Sequence, residues 1–331
     1  MSERDNPDIL GILKHNFGKP RVMTWGWPLM IVSLVTAVFF TIRCLLNRTD
    51  LAVPVTSLSG CSVLMILLTI CALIFPSVLF SRDFSEKVTG RYTGVGALLL
   101  GLISGIPLMM VKTALYNAIS YLTLRLGEKS VFPVFFHSQP ETTYGLILEI
   151  ISDIIIPAFG ISLFFFGFLW SRLKSFDRRK AYVVISIAIV LYSMDFTAAL
   201  ATGAAAVWCC YLRSKVHNIW APFLCMVSSG ICELFVPEYL SKIDIFSVQT
   251  YADIGSTYFY SSIPAFFMGM VLILFFIRVL DSFSVSLRYE IDITEDDEFV
   301  PAFDKSINLS LILTIAVYIT IWVLIIKGVQ L

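Results

Sequence analysis

Long apolar runs separated by short polar ones set the pattern of this chain. A helix needs about 20 apolar residues to cross a hydrocarbon core. Nine stretches approach that length: 23–45, 61–80, 93–124, 143–171, 181–196, 197–212, 218–237, 257–280 and 307–328. The third is long enough to tilt or to continue along the interface, and it contains Pro107 and Lys112. The fifth and sixth are short and nearly contiguous, dividing around Asp195, Phe196 and Thr197. The pattern predicts an all-α fold, a polytopic membrane helical bundle of about eight to nine transmembrane helices. Residues 1–22 are polar, and the apolar run after them is too long for a signal-peptide core, so it reads as a retained span.

The basic residues orient this layout. With a cytoplasmic N-terminus, seventeen Lys and Arg fall in cytoplasmic segments, among them Arg172, Lys174, Arg178, Arg179, Lys180, Arg213 and Lys215. Six fall outside (Arg43, Arg48, Arg125, Lys129, Lys242 and Lys327), and Lys112 lies within a span. That asymmetry is the one expected of a correctly inserted bundle.

Composition agrees on the solvent. Hydrophobic residues are 57% of the 331, charged residues 15%, and the mean hydropathy is +0.84. Soluble domains are nearer half apolar and a quarter charged. The formal net charge is zero, which excludes the basic footprint of a nucleic-acid binder. Membrane lipids are therefore the first expected partners.

Candidate chemistry is sparse. The seven cysteines form no CxxC pair and read as buried small hydrophobes, although Cys44 and Cys61 lie near the same end of the first two spans. The three histidines, His15, His137 and His217, fall outside the span interiors, so zinc is not expected as a cofactor. "YEIDITEDDEF", residues 289–299, reads as a solvated acidic loop or a docking strip for a basic partner. "GLISG", residues 101–105, and "TGAAA", residues 202–206, permit close helix approach and read as internal packing.

Charges inside spans are costly, and they normally face the bundle interior. Four carboxylates qualify: Glu149, Asp153, Asp195 and Glu233. Glu149 and Asp153 are four residues apart, which puts them on one helix face. A polar cavity holding Glu149, Asp153 and Asp195 is one expectation. A position for Glu149 and Glu233 near the outer interface is the other.

A resemblance adds to this reading. "LEIISDIIIPAFGISLFFFGFLWSRLK" (148–174), "SIAIVLYSMD" (186–195) and "TGAAAVWCCYLRSKVHNIWAP" (202–222), followed by "IWAPFLCMVSS" (219–229), resemble in order the core of the CPBP family. These are the CAAX protease and bacteriocin-processing, or Abi, intramembrane metalloproteases. "GIPLMMVKTALYNAISYLTLRLG" (105–127) resembles the helix that precedes that core. The likeness covers roughly residues 94–235 and rests on framework residues. The family carries EExxxR, FxxxH and HxxxN or HxxxB motifs. Here its two glutamates align with Ser152 and Asp153, its arginine with Pro157, its histidines with Asp195 and Met226, and the last motif position with Gly230.

The apolar runs and basic residues, together with the resemblance, divide the chain into four expected segments: a cytoplasmic stretch 1–22, N-terminal transmembrane helices 23–142, a CPBP-like core 143–237, which is what the resemblance implies, and C-terminal helices 238–331 carrying the acidic loop. The resemblance also implies that Asp153 and Asp195 face each other across the old active site, where they would share a proton, bind a cation through oxygens, or meet Lys112. Three functions follow as expectations. One is a catalytically degenerate scaffold or regulator in a bacterial plasma membrane, partnered by another membrane protein or a peptide. The second is an intramembrane protease with an Asp-based site, and the third a transporter or permease subunit.

Overall fold

A computed structural model describes residues 26–46, 58–80, 89–90, 94–125, 143–173, 178–195, 197–236, 240–243, 256–291 and 309–326. Among them the chain is helical, without a strand, and forms nine helical rods. They are α1 (Gly26–Leu46), α2 (Leu58–Thr69, continuing through Ile70–Ile74 and Phe75–Phe80), α3 (Gly94–Arg125) and α4 (Thr143–Glu149, continuing to Trp170–Leu173). Then come α5 (Arg178–Ser193), α6 (Ala199–Val216), α7 (Trp220–Phe235), α8 (Ser256–Ile291) and α9 (Leu309–Ile326). Four of these rods contain stretches long and apolar enough to cross a membrane: Ser62–Leu79, Gly94–Arg125, Thr143–Leu169 and Tyr260–Ser282. Gly26–Ile42, Trp220–Phe235 and Leu309–Leu324 are shorter apolar helices.

The outward faces explain why such helices do not collapse on one another further. On α1, Leu34, Val38 and Ile42 are exposed at helical spacing, and Ile263, Phe267, Val271 and Leu274 repeat this on α8. An apolar face this extensive suits a lipid surround and would not suit water.

Two rods are not uniform α-helix, and in each a π-helical turn stands just before a proline. In α2 a π-helical turn, Ile70–Ile74, stands immediately ahead of Phe75-Pro76, and the Phe75 N–H bonds the Ile70 carbonyl five residues back. In α4 the turn Ile150–Ile155 stands ahead of Ile156-Pro157, and the Ile156 N–H bonds the Ile151 carbonyl. Proline supplies no N–H, and its ring crowds the carbonyl four residues back. A wider turn just before it moves that carbonyl aside and keeps the rod continuous.

A second π stretch in α4, Ser162–Leu169, has no proline. Its residues are buried all round, as an "SLFFFGFL" sequence requires. The Arg213 guanidinium inserts here, donating from Nε to the Phe166 carbonyl at 2.9 Å. This stretch is the centre of the main core, with Leu29 and Val32 of α1, Leu68 and Leu73 of α2, Ile185 of α5 and Cys209 of α6 around it.

Helix ends differ from the sequence reading in two places. The fifth and sixth segments do divide near Asp195, at Met194, whose φ of 48° turns the chain sharply. However, α6 runs on to Val216, so Arg213 is no loop residue: it is buried in the last turn, where the Phe166 carbonyl satisfies it. His217, exposed and at φ 57°, closes the helix, its N–H bonding the Arg213 carbonyl. The eighth rod reaches Ile291, beyond the expected 280, so the first residues of the acidic segment are helical. Residues 292–299 lie outside the described residues, as do His15 and His137 and the side chains of Cys44 and Cys61.

α3 is the hub, packing against α7, α8 and α6, while α5 pairs with α6 and α1 with α9. Residues 101 and 105 of the GxxxG stretch meet Ala221 and Cys225 on α7, so the stretch makes internal packing. At one end of the bundle the Ile219 N–H bonds the Thr89 carbonyl, and Gly90 bridges to Asn218. At the other, the wholly buried Asn117 of α3 accepts from the Ile243 N–H at 2.9 Å. It also donates to the Ser241 carbonyl at 3.1 Å and to Ser262 of α8 at 3.0 Å.

Candidate functional site

A cavity of about 440 Å³ opens between α3, α4, α5, α6, α7 and the segment Leu240–Lys242. Its polar lining lies at one end. The N-terminal part of α4 supplies Glu149 and Asp153, the C-terminal part of α7 supplies Ser229 and Glu233, and Ser241 and Lys242 follow. Lys112 joins them from α3 and Thr202 from the start of α6. One or two turns deeper the lining is apolar: Leu108, Ala158, Ile161, Ile189, Ala205 and Met226.

The polar end is organised around Glu233. Its Oε1 lies 2.8 Å from the Lys112 ammonium and its Oε2 2.7 Å from that of Lys242. Glu233 and Lys112 are 19% and 22% exposed, whereas Lys242, at 41%, marks the open rim. Lys112 also donates to Ser229 Oγ at 3.4 Å, and Lys242 sits 5.6 Å above the Tyr116 ring. The three charges satisfy one another across α3, α7 and the following loop, which is how ionisable groups persist in an apolar bundle. Asn117 fixes that loop through Ser241 and Ile243 and so positions Lys242.

The residues singled out from the sequence separate into two sets. Asp153, Pro157, Met226 and Gly230 line the cavity, and Glu149 lines it beside Asp153. Ser152 and Asp195 are not among its lining residues. Ser152 is wholly buried against α2, with its Oγ 3.1 Å from Ser62 Oγ and 2.9 Å from Asp153 Oδ1. Asp195 Oδ1 accepts the N–H groups of Thr197 and Ala198 at 2.9 and 3.1 Å, tying down the turn before α6. Lys112 meets Glu233 rather than either aspartate, and Glu233 belongs to the cavity.

Sequence reasoning found Lys112 and Glu233 as separate in-span charges but did not pair them. The available signal was their opposite sign, since neither is stable in a span alone. Lys242, counted as a loop cation, carried no such signal.

Among the described residues no group of three or more His, Cys, Asp or Glu is placed to hold a metal ion. Of the positions aligned with the protease motifs, Asp153 alone brings a ligating group to the cavity, and Pro157, Met226 and Gly230 bring none fit for zinc. The donor set does not fit the family's metal. Comparison of the chain with protein-family models, with curated proteins and with solved structures finds no match in any of the three.

Proposed function

We propose that this is an integral membrane scaffold or regulator on a CPBP-like core, with the cavity serving as a binding site rather than a catalytic one. One observation carries the reading: Asp153, Pro157, Met226 and Gly230, which align with the motifs, surround a single cavity whose central carboxylate is clamped between two ammoniums. A protease of this kind needs a base that reaches a metal-bound or free water. Glu233 is held by Lys112 and Lys242, and Asp195 is occupied by two backbone N–H groups. That leaves the Asp-based site without its second acid.

In this reading the bundle has eight to nine spans, a cytoplasmic N-terminus and a bacterial plasma-membrane location, with the polar end of the cavity facing outward. Its partners are membrane lipids and another membrane protein or peptide. The permease reading would need a second opening at the deep end, where the wholly buried stretch Ser162–Leu169 stands.

Complementation of a deletion strain by Asp153→Asn and Asp195→Asn, with protein level measured alongside, tests the reading. Rescue by both is the expected result. Loss of function in both at normal abundance overturns it in favour of an Asp-based enzyme.

A further inference from the structure

We propose that the cavity takes up one acyl chain of a bilayer lipid and selects it by the chain, whatever the charge of the head. The proposal rests on reading the cavity as a binding site and names what fills it.

A charged ligand needs groups left over to receive it, and the ionisable side chains around the cavity are engaged within the protein. Glu233 is held by Lys112 and Lys242, and Lys242 also stands near Asp195. Asp195 accepts the Thr197 and Ala198 N–H groups, Asp153 accepts from Ser152 Oγ at 2.9 Å, and Glu149 has a partner of its own. A ligand head that displaced one of these contacts would have to replace it and shed its own water as well. The cavity therefore selects no head charge.

What remains on offer is apolar surface, and it runs the whole length of the space. Leu234, Val236 and Leu240 stand beside Glu233 and Lys242 at the mouth, Pro157 follows, and Ile161 and Met226 lie deeper. A lining of this kind holds water poorly and takes apolar molecules, and left empty it would forfeit its dispersion contacts. The volume, about 440 Å³, lies within the usual range for ligand sites.

Length identifies the chain. From Glu149 to Ile161 the α4 lining covers at most about 18 Å, at roughly 1.5 Å per residue. One leaflet contributes half of a hydrocarbon core of about 30 Å, so a single acyl chain reaches about that far. The exposed apolar faces of α1 and α8 set such chains beside the bundle.

The test places the full-length chain in phosphatidylcholine vesicles doped with the same phospholipid carrying a diazirine at the end of one acyl chain. After irradiation, mass spectrometry locates the label. It is expected at Met226 and the buried Ile189 in the cavity, as well as at Phe267 and Val271 on the exposed face of α8. With the diazirine moved next to the ester, the cavity label should shift to Leu234, Val236 and Leu240. Ala205→Leu, which fills the cavity, should cut the label at Ile189 about tenfold and leave that of the α8 face as it was. Met226→Phe serves the same purpose should Ala205→Leu fail to fold. Phosphatidylglycerol and a cationic lipid with the same photoreactive chain should label the cavity equally. Label confined to the exposed faces, cavity label unchanged in the filled variants, or cavity label differing about tenfold between heads would each overturn the proposal. None of these outcomes bears on whether Asp153→Asn and Asp195→Asn rescue a deletion strain, so the two readings fail separately.

Discussion

Along the seam between α3 and α7 the same two helices form two different kinds of interface. They run parallel: Gly101 meets Ala221, Gly105 meets Cys225, and Lys112 meets Ser229 and Glu233, each pair about 120 residues apart in the chain. In the first half the backbones nearly touch. A Cβ on Gly101 would lie 2.7 Å from the Ala221 carbonyl oxygen, and one on Gly105 would lie 2.6 Å from that of Cys225. Ser104 and Trp208 close the space beside them, with Ser104 Oγ 3.4 Å from both Cys225 Sγ and Trp208 Nε1. In the second half the seam opens into the cavity, and long charged side chains replace close backbones.

The contrast teaches how an apolar bundle holds a polar void. In lipid, helices gain little by hiding apolar surface from one another, so contact depends on close packing of small residues. The glycine half supplies that contact and fixes the register. The charged half then inherits a fixed geometry in which Lys112 and Glu233 stand opposite. Without the first half, the charges of the second would have no assured partner.

The largest expected effect comes from breaking the close-packed half. Gly101→Val places a branched side chain against Ala221 backbone, which cannot move aside as a side-chain tip could. Overpacking of this kind costs on the order of 3 kcal/mol. Thermal unfolding in detergent should show a large fall in midpoint, and the Lys112–Glu233 pair should be lost with it. A variant that unfolds like the parent would mean that the contact between these helices yields easily.

Breaking the charged half should cost less. Glu233→Gln leaves two ammoniums facing each other, and loss of one partner from a buried pair costs about 3–5 kcal/mol. Glu233 is partly exposed and Lys242 lies at the rim, so solvent reduces the penalty to about 2 kcal/mol. A double-mutant cycle of Glu233→Gln with Lys112→Met reads the coupling directly. Coupling below about 0.5 kcal/mol would show that the two charges are held apart by water rather than paired.

These two halves were not equally legible in the sequence. The close-packed half announces itself locally, because "GLISG" is a pattern within one helix whose physical meaning does not depend on its partner. The same holds for the helical segments, which follow from apolar run length, and for the chain break near Asp195. The charged half depends on three side chains at 112, 233 and 242, and no local pattern joins them. A charge in a span signals that a partner exists without naming it. For that reason an aspartate is only one of the partners that the sequence leaves open for Lys112, and the structure pairs it with Glu233. Arg213 was missed for the opposite reason. Its position beside other basic residues reads as a loop, while its burial depends on the Phe166 carbonyl of a distant helix.

The smallest expected effect separates the resemblance from the geometry at a single residue. Asp195 takes the place of a protease histidine by alignment, yet its Oδ1 holds the Thr197 and Ala198 N–H groups at the entry to α6. Asparagine offers a side-chain oxygen of the same reach, and the two residues serve almost equally at helix entries. Asp195→Asn should therefore change the unfolding midpoint little. Asp195→Ala removes the acceptor and leaves two N–H groups without it, at a cost of about 1 kcal/mol. A catalytic carboxylate would reverse the functional ranking, because asparagine would lose the base as completely as alanine does. Measuring stability and complementation on both variants thus isolates the role: a cap loses stability in alanine only, and a base loses function in both.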